Sequence, residues 1–243
     1  MVLEPCGAEM SDAARLCASL QSVLQRPDVW RGDRLAQTSE VISSGFPVLD
    51  AELPGGGWPR GAVTELLGDA VGVGELSLLL PVLRSCAKEG PLALLAAPFA
   101  AHAPAWAQAL PLSSLLWVRA SGDEVAWTAE NLLASGALGA LLAWLPAQTD
   151  ARSLRRLQLA AEAYAAPAFL FRPATAARGA SPAPLRLELA GSADGLRVKV
   201  LKRRGPPLMH SLNLQVSRPC ARTRSSVVRH TFAPMQKVAV VSE

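Results

Sequence analysis

Histidine, tyrosine and cysteine are scarce in this 243-residue chain, at three, one and four residues. The cysteines, Cys6, Cys17, Cys86 and Cys220, are scattered and form no CxxC pair. That spacing offers no metal-binding nucleus and argues against a disulfide framework in a chain of this size. A reduced, cytosolic protein is the expectation. Charge is also sparse: charged residues make up 18%, and 24 Lys+Arg against 20 Asp+Glu leave a net charge of +4. So mild a basic bias does not by itself demand a nucleic-acid partner. Long apolar runs are missing as well. Residues 91–118 and 131–149 carry no charge, but Pro98, Pro104 and Pro111 break the first, and Ser135, Gly136, Gly139 and Pro146 interrupt the second. A spanning helix needs about 20 continuous apolar residues, so both read as helix–turn–strand. The N-terminus has Glu4, Glu9 and Asp12 and no basic run, unlike a secretory signal. No membrane attachment is expected.

Apolar residues, in contrast, fill 50% of the chain, enough for one domain with a full core. Residues 8–26 read as a helix ended by Pro27, and a polar linker containing Trp30 follows. From Ala62 onward, apolar strands and helices alternate. Strands are predicted at 63–67, 92–97, 114–118, 138–145 and 168–172, and helices at 75–88, 102–110, 122–135 and 151–164. Gly136 is placed to end the third of these helices. Such alternation implies βαβ units and a largely parallel sheet covered on both faces. After Pro173 an Ala/Pro-rich loop runs to about residue 184, then short alternating segments at 185–190, 196–202 and 208–216 predict an antiparallel meander. The organisation is an N-terminal helix and linker at 1–40, a core at 41–216 and a basic tail at 217–243.

The loop after strand 63–67 reads Gly68-Asp69-Ala70-Val71-Gly72-Val73-Gly74-Glu75-Leu76-Ser77. Strand, glycine loop and helix is the setting of a phosphate-binding P-loop, where backbone N–H groups, a Lys and a Ser/Thr hydroxyl hold Mg-nucleotide. Here Glu75 stands at the Lys position and Leu76 at the hydroxyl position, and the glycine spacing is longer than the motif. A carboxylate repels a triphosphate, so no cofactor is expected at Gly68, Gly72, Gly74 and Glu75. The plainer reading is a connecting loop whose glycines permit tight turns.

Several blocks in order resemble the RecA core over residues of about 38 to 216: Ile42-Ser43-Ser44-Gly45, Leu49-Asp50, Gly55-Gly56-Gly57-Trp58-Pro59-Arg60-Gly61, Glu65, Ala134-Ser135-Gly136-Ala137, and Arg197 to Arg204 followed by Pro206. The resemblance implies an α/β fold, a RecA-like P-loop NTPase core with a central, mostly parallel sheet flanked by helices and the meander at its end. It also locates what is lost. Pro98 stands where RecA has a catalytic glutamate, and Trp144 where its Walker B strand ends in an acid. With Lys, hydroxyl and both acids absent, hydrolysis that depends on electrostatic positioning is not expected. The loops matching the DNA-gripping loops of RecA are cut to residues 146–150 and 173–184, so RecA-style DNA pairing is not expected either.

Within this group the length, Val29-Trp30-Arg31-Gly32 and the run from Gly74 to Pro81 most resemble the ImuA family, RecA-like accessory proteins of bacterial translesion synthesis. That resemblance implies a non-catalytic adaptor in SOS-induced mutagenic DNA synthesis. It would act beside an ImuB-like polymerase homologue, with RecA and an error-prone C-family DNA polymerase as further partners, in the cytoplasm at the nucleoid during DNA damage. Two rival classes stay open: a cell-division inhibitor of SulA type, and an atypical DNA-dependent ATPase, which would need a basic residue near Gly72 or Gly74.

Smaller features carry two readings each. Lys202 and Arg204 fall where RecA places lysines that reach ATP on a neighbouring subunit, and with Arg203 they are candidate partner contacts or else a basic turn facing water. Arg218, Arg222, Arg224 and Arg229 suit DNA or partner contact through counterion release, or merely keep the tail soluble. Arg152, Arg155 and Arg156 could contact phosphates or an acidic partner, but read better as a solvated helix face. Trp30 is a candidate partner contact. Trp30 and Trp58 each fit an interface anchor or packing over their own sheet. Residues 108–112 faintly resemble a sliding-clamp-binding peptide, but core packing accounts for them better.

Overall fold

The computed structural model describes Ser22 and residues 40–216, apart from Ala101 and Asp194. The predicted helix at 8–26 lies outside the described residues except for Ser22, which is helical, as do Trp30 and the tail arginines. A short ribbon, β1 (Val41–Ile42) paired antiparallel with β2 (Trp58–Pro59), precedes the main sheet and brackets α1 (Pro47–Asp50). The main sheet contains β3 (Val63–Leu67), β4 (Leu92–Leu95), β5 (Leu115–Val118), β6 (Ala140–Trp144) and β7 (Ala168–Arg172). It is completed by β8 (Leu185–Ser192), β9 (Gly195–Lys202) and β10 (Ser211–Leu214). The order is β10-β9-β8-β3-β7-β6-β4-β5. Pairing is parallel from β8 through β5, and β8, β9 and β10 form the antiparallel end.

Helices α2 (Glu75–Cys86), α3 (Ala103–Ala107), α4 (Glu124–Ala134) and α5 (Ala151–Tyr164) connect the parallel strands. Alternation along each strand divides the core. Leu66, Leu142, Phe169 and Leu187 join Leu78, Leu79 and Leu83 of α2 on one face. Val63, Leu141, Ala143 and Leu170 join Leu133, Leu154 and Leu157 of α4 and α5 on the other. Burial on both faces explains why these strands read as continuous apolar runs. The uncharged segments resolve into short elements, and among the described residues no helix is long and apolar enough to cross a membrane.

Local differences from expectation have local causes. The strand predicted to 97 stops at Leu95 because Ala96 turns into the left-handed region at φ 55°. Residues 173–184 are not wholly irregular: Ala174–Arg178 forms a 3-10 turn, pinned from β8 by Arg186 Nη2 donating to the Ala176 carbonyl at 2.8 Å. Trp58, weighed as an interface anchor, is fully buried in β2 and meets Phe169 edge to face at 5.5 Å. In the clamp-like segment Leu110 is buried in the core. Arg156 of the basic helix pairs with Glu130 at 2.8 Å, joining α5 to α4.

Helix α5 starts on Asp150, whose carboxylate accepts from the Ser153 N–H at 2.7 Å. The Ser153 hydrogen bonds hold the Asp150 pKa below its usual value. A depressed folded pKa adds stability above the unfolded value, and that stability is lost as pH falls through the folded one. Asp150→Asn keeps a good cap without the titration. The Asp150→Asn protein is therefore expected to lose less of its thermal midpoint than the parent as pH drops below 3.8, measured by circular dichroism melts in parallel.

Candidate functional site

Strands β3, β4, β6 and β7 end on one side of the sheet, and the loop between β3 and α2 crosses that side. In open α/β sheets, ligands bind outside these carboxyl ends. Gly72 and Gly74 adopt φ 77° and 113°, which lets successive N–H groups converge ahead of α2. Asp69 ties the loop to the exit of β7, accepting from the Ala174 N–H at 2.8 Å, while the Gly68 N–H donates to the Arg172 carbonyl at 3.1 Å. The loop thus has the concave, donor-lined form of an anion site.

Its anion is internal. Glu75 Oε1 accepts from the Gly72 N–H at 2.8 Å and Oε2 from the Gly74 N–H at 3.0 Å. Both carboxylate oxygens are thereby used on donors that a working loop offers to phosphate, at a helix N-terminus where negative charge is favoured. Only 8% of Glu75 is exposed. Besides repelling a triphosphate by its charge, this carboxylate satisfies the loop itself.

Pro98 and Trp144 complete the change. Pro98 lies in the loop after β4, and Trp144, the last residue of β6, stacks on Phe171 with ring centroids 4.5 Å apart and planes 10° from parallel. Together with Val71, Leu94, Phe99 and Trp106 they line an apolar cleft of about 530 Å³ beside the loop. A second hollow of about 440 Å³ continues over Gly68, Ala120 and Arg172. The first cleft contains Glu75 and His102 but no Lys or Arg among its lining residues. In the second, Arg172 is held by Glu65 and by the Ala147 and Thr149 carbonyls, at 2.9, 3.0 and 3.3 Å. Among the described residues no group of three or more His, Cys, Asp or Glu gathers as metal ligands. Cys86 is buried, and that burial pushes its thiol pKa up to about 11, away from reactivity.

An ionic cluster beneath the loop was not foreseen from the sequence. Glu65 is wholly buried in β3, and its two oxygens accept from Arg172 Nη1 at 2.9 Å and Arg186 Nε at 2.6 Å. The Ser181 hydroxyl adds a third donor at 2.9 Å. Sheet register explains the meeting: Arg186 is directly opposite Glu65, and Arg172 is two residues beyond its other partner, Leu170. An acid inside an apolar strand was the signal available, since a buried charge requires a partner.

The structure separates the basic turn into two kinds of residue. Arg203 points inward, donating to the Pro206 carbonyl and to Glu52 Oε2, each at 2.7 Å, with its side chain 6% exposed. Its guanidinium is committed within the chain, so Lys202 and Arg204 are the exposed members. Lys202 Nζ donates to the Ser181 carbonyl at 2.8 Å, and partial burial first, then Arg186, lowers its pKa.

No family model matches the chain. Similarity to curated proteins is specific but partial. The chain is 33% identical over 114 residues to "Protein RecA" of Rubrobacter xylanophilus, covering 46% of this chain and 33% of that one. It is 34% identical over 110 residues to "Protein RecA" of Streptococcus agalactiae, covering 44% and 29%, and matches that of Streptococcus pyogenes equally well. Over these matched residues the chain is similar to RecA, which supports a RecA-like superfamily. The chain spans about a third of the length of these relatives, 33% and 29% for the first two. The mostly parallel eight-stranded sheet with an antiparallel end fits that relationship.

Removing the internal anion is a direct test of the loop. Glu75→Ala deprives Gly72 and Gly74 of their acceptor and α2 of its first-turn charge, a loss of roughly 1 kcal/mol as for other helix caps. Inorganic phosphate is expected to raise the thermal midpoint of Glu75→Ala and leave that of the parent unchanged. Equal shifts would show that the carboxylate does not guard the loop.

Proposed function

We propose that this protein is a non-catalytic RecA-like adaptor of the ImuA type, serving SOS-induced translesion DNA synthesis through protein–protein contacts. The observation that carries the non-catalytic reading is the Glu75 carboxylate seated on the Gly72 and Gly74 N–H groups. Nucleotide phosphates would have to displace it, and Glu75 stands where a neutralising Lys belongs. Pro98 and Trp144 supply no acid for Mg²⁺ or for activating water. With no charge stabilisation for a transferring phosphoryl group, the fold is left with its surfaces. The partial similarity to RecA supports a place in the DNA damage response, and the ImuA-like sequence blocks support the narrower role beside an ImuB-like polymerase homologue.

Exposed Lys202 and Arg204 are the surface we assign to RecA, where they would face the nucleotide end of a neighbouring subunit. In this reading the chain caps or loosens a filament by offering cations while presenting no ATP site of its own. Two assays test the proposal. Purified chain with Mg-ATP, with and without single-stranded DNA, is expected to turn over nothing above the blank; turnover abolished by Glu75→Ala would make it an ATPase instead. Lys202→Glu together with Arg204→Glu is expected to weaken RecA binding on the order of tenfold. Unchanged affinity would remove this docking surface.

A further inference from the structure

The outer layer formed by α4 and α5 leaves large apolar side chains in water: Trp127 is 64% exposed and Leu159 47% exposed. Helical spacing puts them there. Trp127 is two residues from buried Val125 and Ala129, and Leu159 is two residues from buried Leu157 and Ala161. At about 3.6 residues per turn, a two-residue step points to the opposite side of a helix. The outward stripes also differ in charge. Glu124, Trp127 and Asn131 form the stripe on α4, and Arg152, Arg155 and Leu159 the stripe on α5, all of them exposed. Arg152 and Arg155 form no salt bridge among the described residues. The two helices run side by side in the same direction, because each returns from the end of one parallel strand to the start of another. The Arg156–Glu130 pair at 2.8 Å fixes their register and leaves Trp127 level with the turn that carries Arg152 and Arg155.

A polyanion is a poor match for this face. Asp123 and Glu124 begin α4, Asp150 caps α5 and Glu130 lies on the seam, so the sign of the charge alternates across it. What the face does match is itself. A two-fold axis along the seam lays α4 of one copy over α5 of the other, and every contact then occurs twice. We propose that this face joins two copies of the chain, with Trp127 packed on Arg155 and Leu159 of the second copy and Glu124 paired with its Arg152. An indole against an arginine gains both apolar contact with the stem and cation–π attraction. At ~1.5 Å per residue, helices of 11 and 14 residues give a face smaller than that of a permanent dimer, so the association is weak and depends on concentration.

Sedimentation velocity of the full chain across micromolar concentrations provides the test. The parent is expected to pass from monomer to dimer as concentration rises, and Trp127→Ala to weaken the dimer by roughly tenfold or more. Glu124→Arg, and separately Arg152→Glu with Arg155→Glu, should each do the same, since each sets like charges face to face. All these positions are exposed, so the variants should melt like the parent by circular dichroism. Mixed in equal amounts, the two charge-reversed proteins should associate again, because each supplies the charge that the other now lacks. A role confined to one chain predicts no such rescue. A parent that stays monomeric at every concentration would overturn the proposal. So would a dimer indifferent to Trp127→Ala, or charge-reversed proteins that fail to recombine. A monomeric parent whose binding to single-stranded DNA disappears in the arginine variant would assign the face to nucleic acid instead.

Discussion

Glu65→Ala is expected to destabilise the protein by roughly 3–5 kcal/mol, the cost of leaving buried charges without their counter-ion. Arg172 and Arg186 would remain inside the protein with side chains only 5% and 8% exposed. Their remaining hydrogen bonds go to neutral carbonyls at Ala147, Thr149, Gly179 and Ala176. These satisfy donors but do not balance two positive charges. Urea denaturation followed by circular dichroism measures the loss. The companion experiment replaces all three ionic side chains, as Glu65→Leu, Arg172→Met and Arg186→Met. It is expected to recover most of that stability, because an apolar cluster of similar volume has no desolvation cost. A triple variant as unstable as Glu65→Ala would mean that the carbonyl contacts made by the arginines, and not charge pairing, hold residues 173–184.

The second large effect concerns Trp58. Trp58→Ala is expected to cost about 3–5 kcal/mol, as for other buried aromatic side chains truncated to alanine. The indole is fully buried, meets Phe169 edge to face at 5.5 Å, and joins the small ribbon to the main sheet. Trp58→Phe should cost far less. The indole Nε1 is buried without a hydrogen-bond partner among the described residues, so phenylalanine removes an unsatisfied donor while keeping a ring on Phe169. Thermal and urea melts of both variants decide between packing and interface roles. Were both to melt like the parent but lose partner binding, Trp58 would be an interface anchor after all.

Much of the scaffold was legible in the chain because its signals are local. Helix Ala151–Tyr164 and strand Ala168–Arg172 occupy the residues predicted for them, since one is amphipathic behind an Asp cap and the other is a continuous apolar run. Gly136 ends α4 with φ 65°, as a glycine at that place should. Boundaries were less legible where the backbone turns without a glycine, as at Ala96. The candidate site was legible as a set of losses at Glu75, Leu76, Pro98 and Trp144. What fills it was not. Trp144 could be seen to replace an acid, but its stack on Phe171 depends on β6 and β7 being neighbours.

The sequence by itself determined the alternation of strands and helices and the glycine loop between β3 and α2, and through its resemblance to RecA it put Glu75, Leu76, Pro98 and Trp144 at the positions expected for a Lys, a hydroxyl and two acids. Those features depend on residue type and on spacing within about one element. Tertiary structure decided that Glu65 would meet Arg172 and Arg186, 107 and 121 residues away, because sheet order and register set those distances. It also decided that the Glu75 carboxylate turns back onto its own loop. A side chain's direction follows from the donors within its reach, and two converging N–H groups at a helix start exist only once the backbone has folded.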